Sequence, residues 1–152
     1  MKMLLMLFVT VCLCATAFAQ PNSEFFAQVQ NLVNKAKGQK FKNLSYDDIK
    51  ITDQIFTADQ VSVATIGVKK NSTERVSDYT NIKWVSGVSD YLMPENSNDK
   101  LTILRLRFKS DADWEYHAKG ITGTKMKVND VDLYFLTKDY EAMQLIFKEH
   151  LK

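Results

Sequence analysis

The segment from residue 46 to residue 137 constrains the fold most, because apolar and polar side chains alternate in it over several short runs. Within Leu104–Lys109, three apolar side chains alternate with three basic ones. Side chains on a strand point alternately to opposite faces, so this run predicts a strand with one dry face. Similar runs occur at Ile49–Ile51, Val61–Val63 and Tyr79–Trp84. We therefore expect about six antiparallel strands in this segment.

The apolar pattern changes face twice in this segment. Between Val61-Ser62-Val63 and Ile66-Gly67-Val68 it shifts from odd to even positions, so we expect a β-bulge near Gly67. At Asn129-Asp130 it shifts again, and we expect these two residues to form the turn of a β-hairpin. That hairpin would pair Val128 with Val131, Met126 with Leu133, and Lys127 with Asp132.

Amphipathic helices are predicted on both sides of the strands. Ser23–Lys37 carries one apolar stripe at three- and four-residue spacing and ends before Gly38. A second helix begins at Asp139, a residue type that suits the N-cap position, and runs to Leu151. The stripes consist of Phe25, Phe26, Val29, Leu32, Val33 and Ala36 in the first helix, and of Tyr140, Met143, Ile146, Phe147 and His150 in the second.

The order of helix, strands and helix predicts a single α+β domain over residues 20–152. We expect a curved antiparallel sheet or partial barrel, with the C-terminal helix closing one mouth. No Gly-, Pro- or Ser-rich linker divides the sequence into two parts, so one shared core is expected.

This order of elements resembles the pleckstrin-homology-like superfold over residues 46–151. In that superfold a strand like Asp78–Trp84 precedes further strands, and the last strand leads directly into the closing helix, as Val131–Leu136 leads into Asp139–Leu151 here. The basic lipid-binding loop of its phosphoinositide-binding members has no clear counterpart in this sequence. A cystatin-like or nuclear-transport-factor-like sheet wrapped on the first helix is the alternative architecture. The chain is also similar in style to small exported proteins of Bacteroidota, a likeness that implies no function.

The first 19 residues have the pattern of a secretory signal peptide. Lys2 supplies a positive charge, an apolar run follows from Leu4 to Leu13, and Ala17-Phe18-Ala19 closes the segment. The apolar run is shorter than the about 20 residues that a membrane-spanning helix needs. We therefore expect a secreted or periplasmic protein, exported by the general secretory route with cleavage near Ala19. Cleavage after Ala17 and an uncleaved anchor are the alternatives.

Export also limits the chemistry of the processed chain. Both cysteines, Cys12 and Cys14, lie in the predicted signal peptide, so no disulfide and no thiol are expected after cleavage. The formal net charge of +2 becomes +1 without Lys2, with both signs spread along the chain, which argues against nucleic acid as a partner. No later apolar run is long enough to span a membrane. Asn43 and Asn71 begin glycosylation acceptor patterns, which matter only in a eukaryotic secretory pathway.

Asp111–His117 is the segment with the densest set of metal-ligating side chains. On a strand, Asp113, Glu115 and His117 would project from one face, and oxygen and imidazole ligands suit divalent cations. Side chains two positions apart on a strand are roughly 6–7 Å from each other, however, so one ion would reach few of them. We therefore predict a solvated strand face and no metal or other cofactor. A carboxylate- or metal-dependent enzyme centred here is an alternative.

Aromatic side chains supply the second candidate site. Trp84, Trp114 and Tyr134 would suit an apolar ligand pocket, although half-buried sheets use the same residue types for packing. The sequence carries no nucleophile elbow, zinc-protease, EF-hand or phosphate-loop motif. We therefore predict a non-enzymatic exported module that binds a small apolar ligand, a peptide or an envelope protein. A structural or assembly subunit is a further alternative.

Overall fold

The computed structural model describes seven stretches of the chain: residues 23–42, 46–71, 73, 75–83, 88–94, 100–118 and 121–151. The predicted signal peptide lies outside these stretches, as do Trp84 and Asn43. Export and the single-domain organisation therefore stay predictions.

The described residues form two helices and seven strands, which confirms the α+β class and slightly exceeds the expected strand number. The elements are α1 (Ser23–Asn34), β1 (Lys40–Phe41), β2 (Tyr46–Phe56), β3 (Gln60–Lys69), β4 (Arg75–Lys83), β5 (Val88–Leu92), β6 (Leu101–Ala118), β7 (Ile121–Leu136), a 3-10 turn (Thr137–Asp139) and α2 (Tyr140–His150). Neither of these two described helices combines the length and the apolar character that crossing a membrane requires.

All strand pairs are antiparallel, and the sheet does not close into a barrel. Strands β1 to β4 follow one another, and β6 comes next. Strand β6 is 18 residues long and pairs with two strands along one edge. Its first half pairs with β5 and its second half pairs with β4. The other edge of β6 carries β7 along both halves. The likeness to the pleckstrin-homology-like superfold and its alternative stay predictions.

The predicted hairpin at Asn129-Asp130 is wrong, because β7 runs through both residues as one strand. The pairing of β6 with β7 jumps from Arg107↔Asp130 to Ala112↔Val128, so residues 108–111 face Asn129 alone. This bulge accommodates the change of apolar face that the sequence shows. The ion pairs differ accordingly: Lys127 lies 2.5 Å from Asp113, and Arg105 lies 2.7 Å from Asp132.

The pairing is irregular near Gly67 as predicted, but the extra residues lie on the neighbouring strand β2 and not on β3. Strand β3 pairs with β4 in one continuous register through Gly67, which lies opposite Val76. Two residues are inserted on β2: Asp47 opposite Val68 and Lys69, and Thr52 between the pairs that Ile51 and Asp53 form with β3. Ile66 therefore points to the outer face of the sheet and is 37% exposed. The sequence interpretation explained this outward-facing apolar residue by a bulge, whereas the residue is simply exposed.

Both helices bury their predicted stripes against the inner face of the sheet. Phe25, Val29, Leu32 and Val33 of α1 belong to the main hydrophobic cluster, together with Met143 and Phe147 of α2 and the inner faces of β6 and β7. Asp139 precedes α2 but makes no side-chain capping bond. Its carboxylate accepts instead from Lys35 Nζ, at 3.3 Å. A smaller cluster on the opposite side of β7 contains Ala36, Ile51, Leu101, Phe41, Tyr134 and Leu136.

Two glutamine side chains bind the backbone along β2: Gln54 bridges from β2 to β7, a gap that no strand pairing closes in the described residues, and Gln30 joins α1 to β2. Gln54 is 4% exposed; its Nε2 donates to the carbonyls of Tyr134 at 2.9 Å and of Val33 at 3.1 Å, and its Oε1 accepts from the N–H of Tyr134 at 2.7 Å. The side-chain amide of Gln30 on α1 makes a similar pair of bonds to the backbone of β2. It donates to the Gln54 carbonyl at 2.9 Å and accepts from the Phe56 N–H at 2.6 Å. Side-chain amides thus satisfy strand-edge groups that a neighbouring strand would otherwise pair.

Candidate functional site

The inner face of the sheet extends beyond the part that the helices cover. Val61 pairs with Ile82, and Ile82 pairs with Trp114, so these side chains share one face. Val61 and Ile82 are buried in the main cluster. One step further along the strands, Val63 and Trp114 are only half buried and pack against the margin of that cluster. The half-buried margin is where a ligand has access to the inner face.

A groove of about 420 Å³ lies at this margin. One wall comes from β3, β4 and β6, and consists of Val63, Thr65, Asp78, Thr80, Ile82 and Trp114. The other wall comes from β7, and consists of Val128, Asp130, Val131, Asp132 and Tyr134. The volume is within the range of about 300–1,000 Å³ that small-molecule pockets occupy.

The β7 wall is formed by the edge of the strand. Asp130, Val131 and Asp132 are consecutive, and consecutive side chains on a strand cannot all point to one face. The groove therefore runs along the edge, which in the described residues pairs with no strand beyond β6. The bulge of β6 lies opposite Asn129, between the lining residues Val128 and Asp130.

Tyr134 is the last residue of the β7 wall, and contacts from other elements fix both its ring and its backbone. Its ring packs against Phe41, with 4.7 Å between ring centroids, and its backbone is bound by the Gln54 amide. Burial raises the pKa of Tyr134 to about 12, and the nearby Asp132 carboxylate adds to the rise. The phenol is therefore neutral at ordinary pH and can donate a hydrogen bond.

Two of the three predicted ligand-binding residues thus line the same groove. Trp114 lies on the sheet wall and Tyr134 on the β7 wall. Trp84, the third, lies outside the described residues. The sequence interpretation missed the acidic members of the β7 wall, Asp130 and Asp132, because it placed the first of them in a hairpin turn.

The charge of the groove is acidic. Asp132 receives two hydrogen bonds from Arg105, at 2.7 and 2.8 Å, and this pairing raises the already high pKa of Arg105. Asp78 and Asp130 add two further carboxylates to the lining. The described lining residues include no Lys, Arg or His. The lining therefore combines apolar side chains with carboxylates, of which Asp132 is paired with Arg105 and Asp130 lies opposite Arg107 in the β6–β7 register.

The outer face of β6 carries the predicted metal-candidate residues. Asp113, Glu115 and His117 occupy alternate positions of the strand and share one face, as expected for a strand. Lys127 binds Asp113 and lowers its pKa, and His117 Nε2 lies 3.1 Å from Glu115 Oε1. In the described part of the chain, no three His, Cys, Asp or Glu side chains are grouped so as to hold a metal ion.

A second, charged pocket of about 500 Å³ lies on the same outer face. Asp113, Glu115, Lys125 and Lys127 contribute to it, so opposite charges compensate one another within the lining. Trp114 and Met126 line this pocket as well. The Oδ1 atom of Asn81, another lining residue, is buried and accepts no hydrogen bond from any residue that the structure describes. With its mixed charges, this pocket has the character of a solvated strand face.

We compared the chain with protein-family models, with curated proteins and with solved structures. None of the three comparisons finds a match. The chemistry of the groove between Trp114 and Tyr134 therefore has to be interpreted from its own residues.

Proposed function

We propose that this chain is an exported, non-enzymatic binding module that takes a small apolar ligand in the groove between Trp114 and Tyr134. The observation that carries the proposal is that both residues belong to the lining of one groove of about 420 Å³ at the uncovered margin of the core. Trp and Tyr combine a large apolar surface with a polar group, which suits ligand sites. The export part of the proposal depends on the signal-like residues 1–19.

The character of the lining supports binding rather than catalysis. Val63, Ile82, Val128 and Val131 supply apolar surface, and Thr65 and Thr80 supply hydroxyl groups. A nucleophilic hydroxyl needs an adjacent general base. The described lining offers carboxylates on β4 and β7 but no histidine or lysine that would act as such a base at neutral pH.

Trp114 provides a reporter for this proposal, and because it also lines the outer-face pocket, the two β4 variants below are needed to assign the site. The chain has two tryptophans, so Trp84→Phe leaves Trp114 as the only indole. We expect the neutral fluorophore N-phenyl-1-naphthylamine to quench Trp114 emission in a saturable manner in purified protein, with a rise in its own emission. No saturable change in either signal would contradict the proposal.

A matched pair of variants on β4 tests the location. Thr80→Phe places a large side chain in the groove, whereas Ser77→Phe places it at an exposed position of the opposite face. In the Trp84→Phe background, we expect Thr80→Phe to abolish probe binding and Ser77→Phe to leave it unchanged. Circular dichroism confirms that both variants fold. Equal binding by both variants would place the probe elsewhere.

A further inference from the structure

We propose that the natural ligand of the groove is a short apolar peptide, bound in an extended conformation as an added strand on the open edge of β7. This inference rests on the proposed function and names the chemical class of the ligand. It follows from backbone groups of β7 that point towards the groove, and from a side-chain amide that already occupies the same edge.

The Gln54 amide shows which backbone groups lie on the open edge of β7. Its Oε1 accepts from the N–H of Tyr134 at 2.7 Å, and its Nε2 donates to the carbonyl of Tyr134 at 2.9 Å. One residue of a neighbouring antiparallel strand would form the same pair of hydrogen bonds. Both backbone groups of Tyr134 therefore point away from β6, and the edge binds an amide at this position.

The same orientation recurs at every second residue of β7. The β6–β7 register is continuous from Tyr134 to Asp130, and in an antiparallel pair the residues that bond to the partner strand alternate with residues that point to the other side. The N–H and carbonyl groups of Asp132 and Asp130 therefore point away from β6, on the side of the groove that both residues line. On β6 the residue opposite Asp130 agrees with this alternation, because the carbonyl of Arg107 accepts from Ser89 on β5, at 3.2 Å.

These edge groups have no partner in the part of the chain that the structure describes. Strand β7 pairs there with β6 alone, and no other hydrogen bond among the described residues uses the backbone of Asp130 or Asp132. A ligand without polar groups would displace water from these N–H and carbonyl groups and leave them unpaired, which is unfavourable. A peptide supplies matching donors and acceptors at the same two-residue spacing.

The length of the open edge and the apolar lining fit an extended peptide. Asp130 and Asp132 lie two positions apart, so a peptide of three residues, with a rise of about 3.3 Å per residue, reaches both. Side chains of an extended peptide alternate between two faces, so those on one face would pack against apolar lining residues such as Val63, Ile82 and Trp114. Backbone pairing thus supplies the polar contacts and alternate side chains supply the apolar ones.

Amide hydrogen exchange in ¹⁵N-labelled protein tests the pairing, with acetyl-Val-Leu-Val-amide as the probe. We expect saturating peptide to slow exchange at the N–H groups of Asp130 and Asp132 by about tenfold or more, because both become hydrogen-bonded. The N–H of Val131 points to β6, so its exchange should change little. N-phenyl-1-naphthylamine carries no amide and should protect neither edge N–H to this extent.

Two N-methylated forms of the probe separate edge pairing from the burial of apolar side chains. When the first and third residues of the peptide pair with β7, the N–H of the central residue points to the other side. Methylation of the first and third nitrogens should therefore weaken binding by about tenfold or more, because two hydrogen bonds are lost. Methylation of the central nitrogen alone should have a much smaller effect. Isothermal titration calorimetry measures both affinities.

A proline variant tests the same edge from the side of the protein. Asp130→Pro removes an N–H that does not bond to β6, and proline is tolerated on strand edges of this kind. We expect this variant to bind the probe about fivefold more weakly than Asp130→Ala, which keeps the N–H. Circular dichroism checks that both variants fold. The methylated peptides test the pairing in the parent protein where Asp130→Pro does not fold.

The outcomes separate the ligand class from the proposed function. Equal affinity of the two methylated peptides, or a bound peptide that protects neither Asp130 nor Asp132, would overturn strand addition. Binding of N-phenyl-1-naphthylamine without binding of the peptide would overturn the peptide class and leave an apolar site in place. Failure of both molecules to bind would overturn both proposals. Protection of both edge N–H groups, lost on methylation of the first and third nitrogens, supports both.

Discussion

Replacing Gln54 by methionine is expected to destabilise the protein strongly, although the two side chains have similar length and volume. The amide of Gln54 makes three hydrogen bonds to backbone groups, two of them to Tyr134 and one to Val33. Methionine fills the space but leaves one N–H and two carbonyls without this partner at a position that is 4% exposed. The effect isolates the polar role of the side chain from its packing.

The size of the effect follows from the number of bonds. Each net hydrogen bond contributes about 1 kcal/mol, and a buried group that loses its partner costs about 1–3 kcal/mol. Part of this loss is offset by the burial of the methionine thioether, so we expect Gln54→Met to lower the free energy of unfolding by about 3 kcal/mol. For a chain of this size, that corresponds to a fall in Tm of about 6–12 °C.

Urea unfolding followed by circular dichroism measures the change. Gln28→Met is the matched control, because the Gln28 amide is exposed and bonds only with Glu24 one turn earlier; we expect it to change stability by less than about 0.5 kcal/mol. Gln30→Met, which loses two bonds to β2, should cost about 2 kcal/mol and serves where Gln54→Met does not fold. A Gln54→Met protein within about 1 kcal/mol of the parent would refute the bridging role.

Three further predictions concern the periphery of the fold. The His150 ring stacks on Phe25 at 3.6 Å, and burial, with Lys109 nearby, holds its pKa below the ordinary value. The unfolded chain therefore binds the proton more readily, so Tm should be highest above about pH 6.5 and fall as the pH drops below it; His150→Phe should reduce this fall, whereas a His117→Gln control should keep it. Lys127→Met breaks an exposed ion pair and should change the free energy of unfolding by less than about 1 kcal/mol, and a larger loss would give the outer face an unexpected structural role. Gly38→Ala should cost about 1 kcal/mol in urea unfolding because Gly38 has a φ of 85°, and an unchanged midpoint would contradict this.

Local patterns predicted those features that depend on neighbours in sequence. The alternation at Leu104–Phe108 correctly assigned the buried face of β6, and the stripe of α1 correctly identified its contact with the core. The change of apolar face at Asn129-Asp130 was also real. A two-residue turn and a bulge both produce such a change, and only the pairing with β6, more than ten residues away, decides between them.

The groove and the glutamine bridge depend on contacts that are distant in sequence. Gln54 and Tyr134 are separated by 80 positions. The polar Gln54 stands out between the apolar residues Ile51 and Phe56 of β2. This local pattern indicates an unusual role but does not identify Tyr134 as the partner. Trp114 and Tyr134 were selected by residue type alone. Their shared groove includes Asp130 and Asp132, whose position depends on the register between β6 and β7.

Methyl chemical-shift mapping tests most directly whether the groove is the ligand site. Protein with ¹³C-labelled valine and isoleucine methyl groups is titrated with N-phenyl-1-naphthylamine. We expect the largest shifts at Val63 and Val128, which line the groove, and little change at Ile66 on the outer face. Large chemical-shift changes at Ile66, together with unchanged chemical shifts at Val63 and Val128, would contradict the assignment of the site.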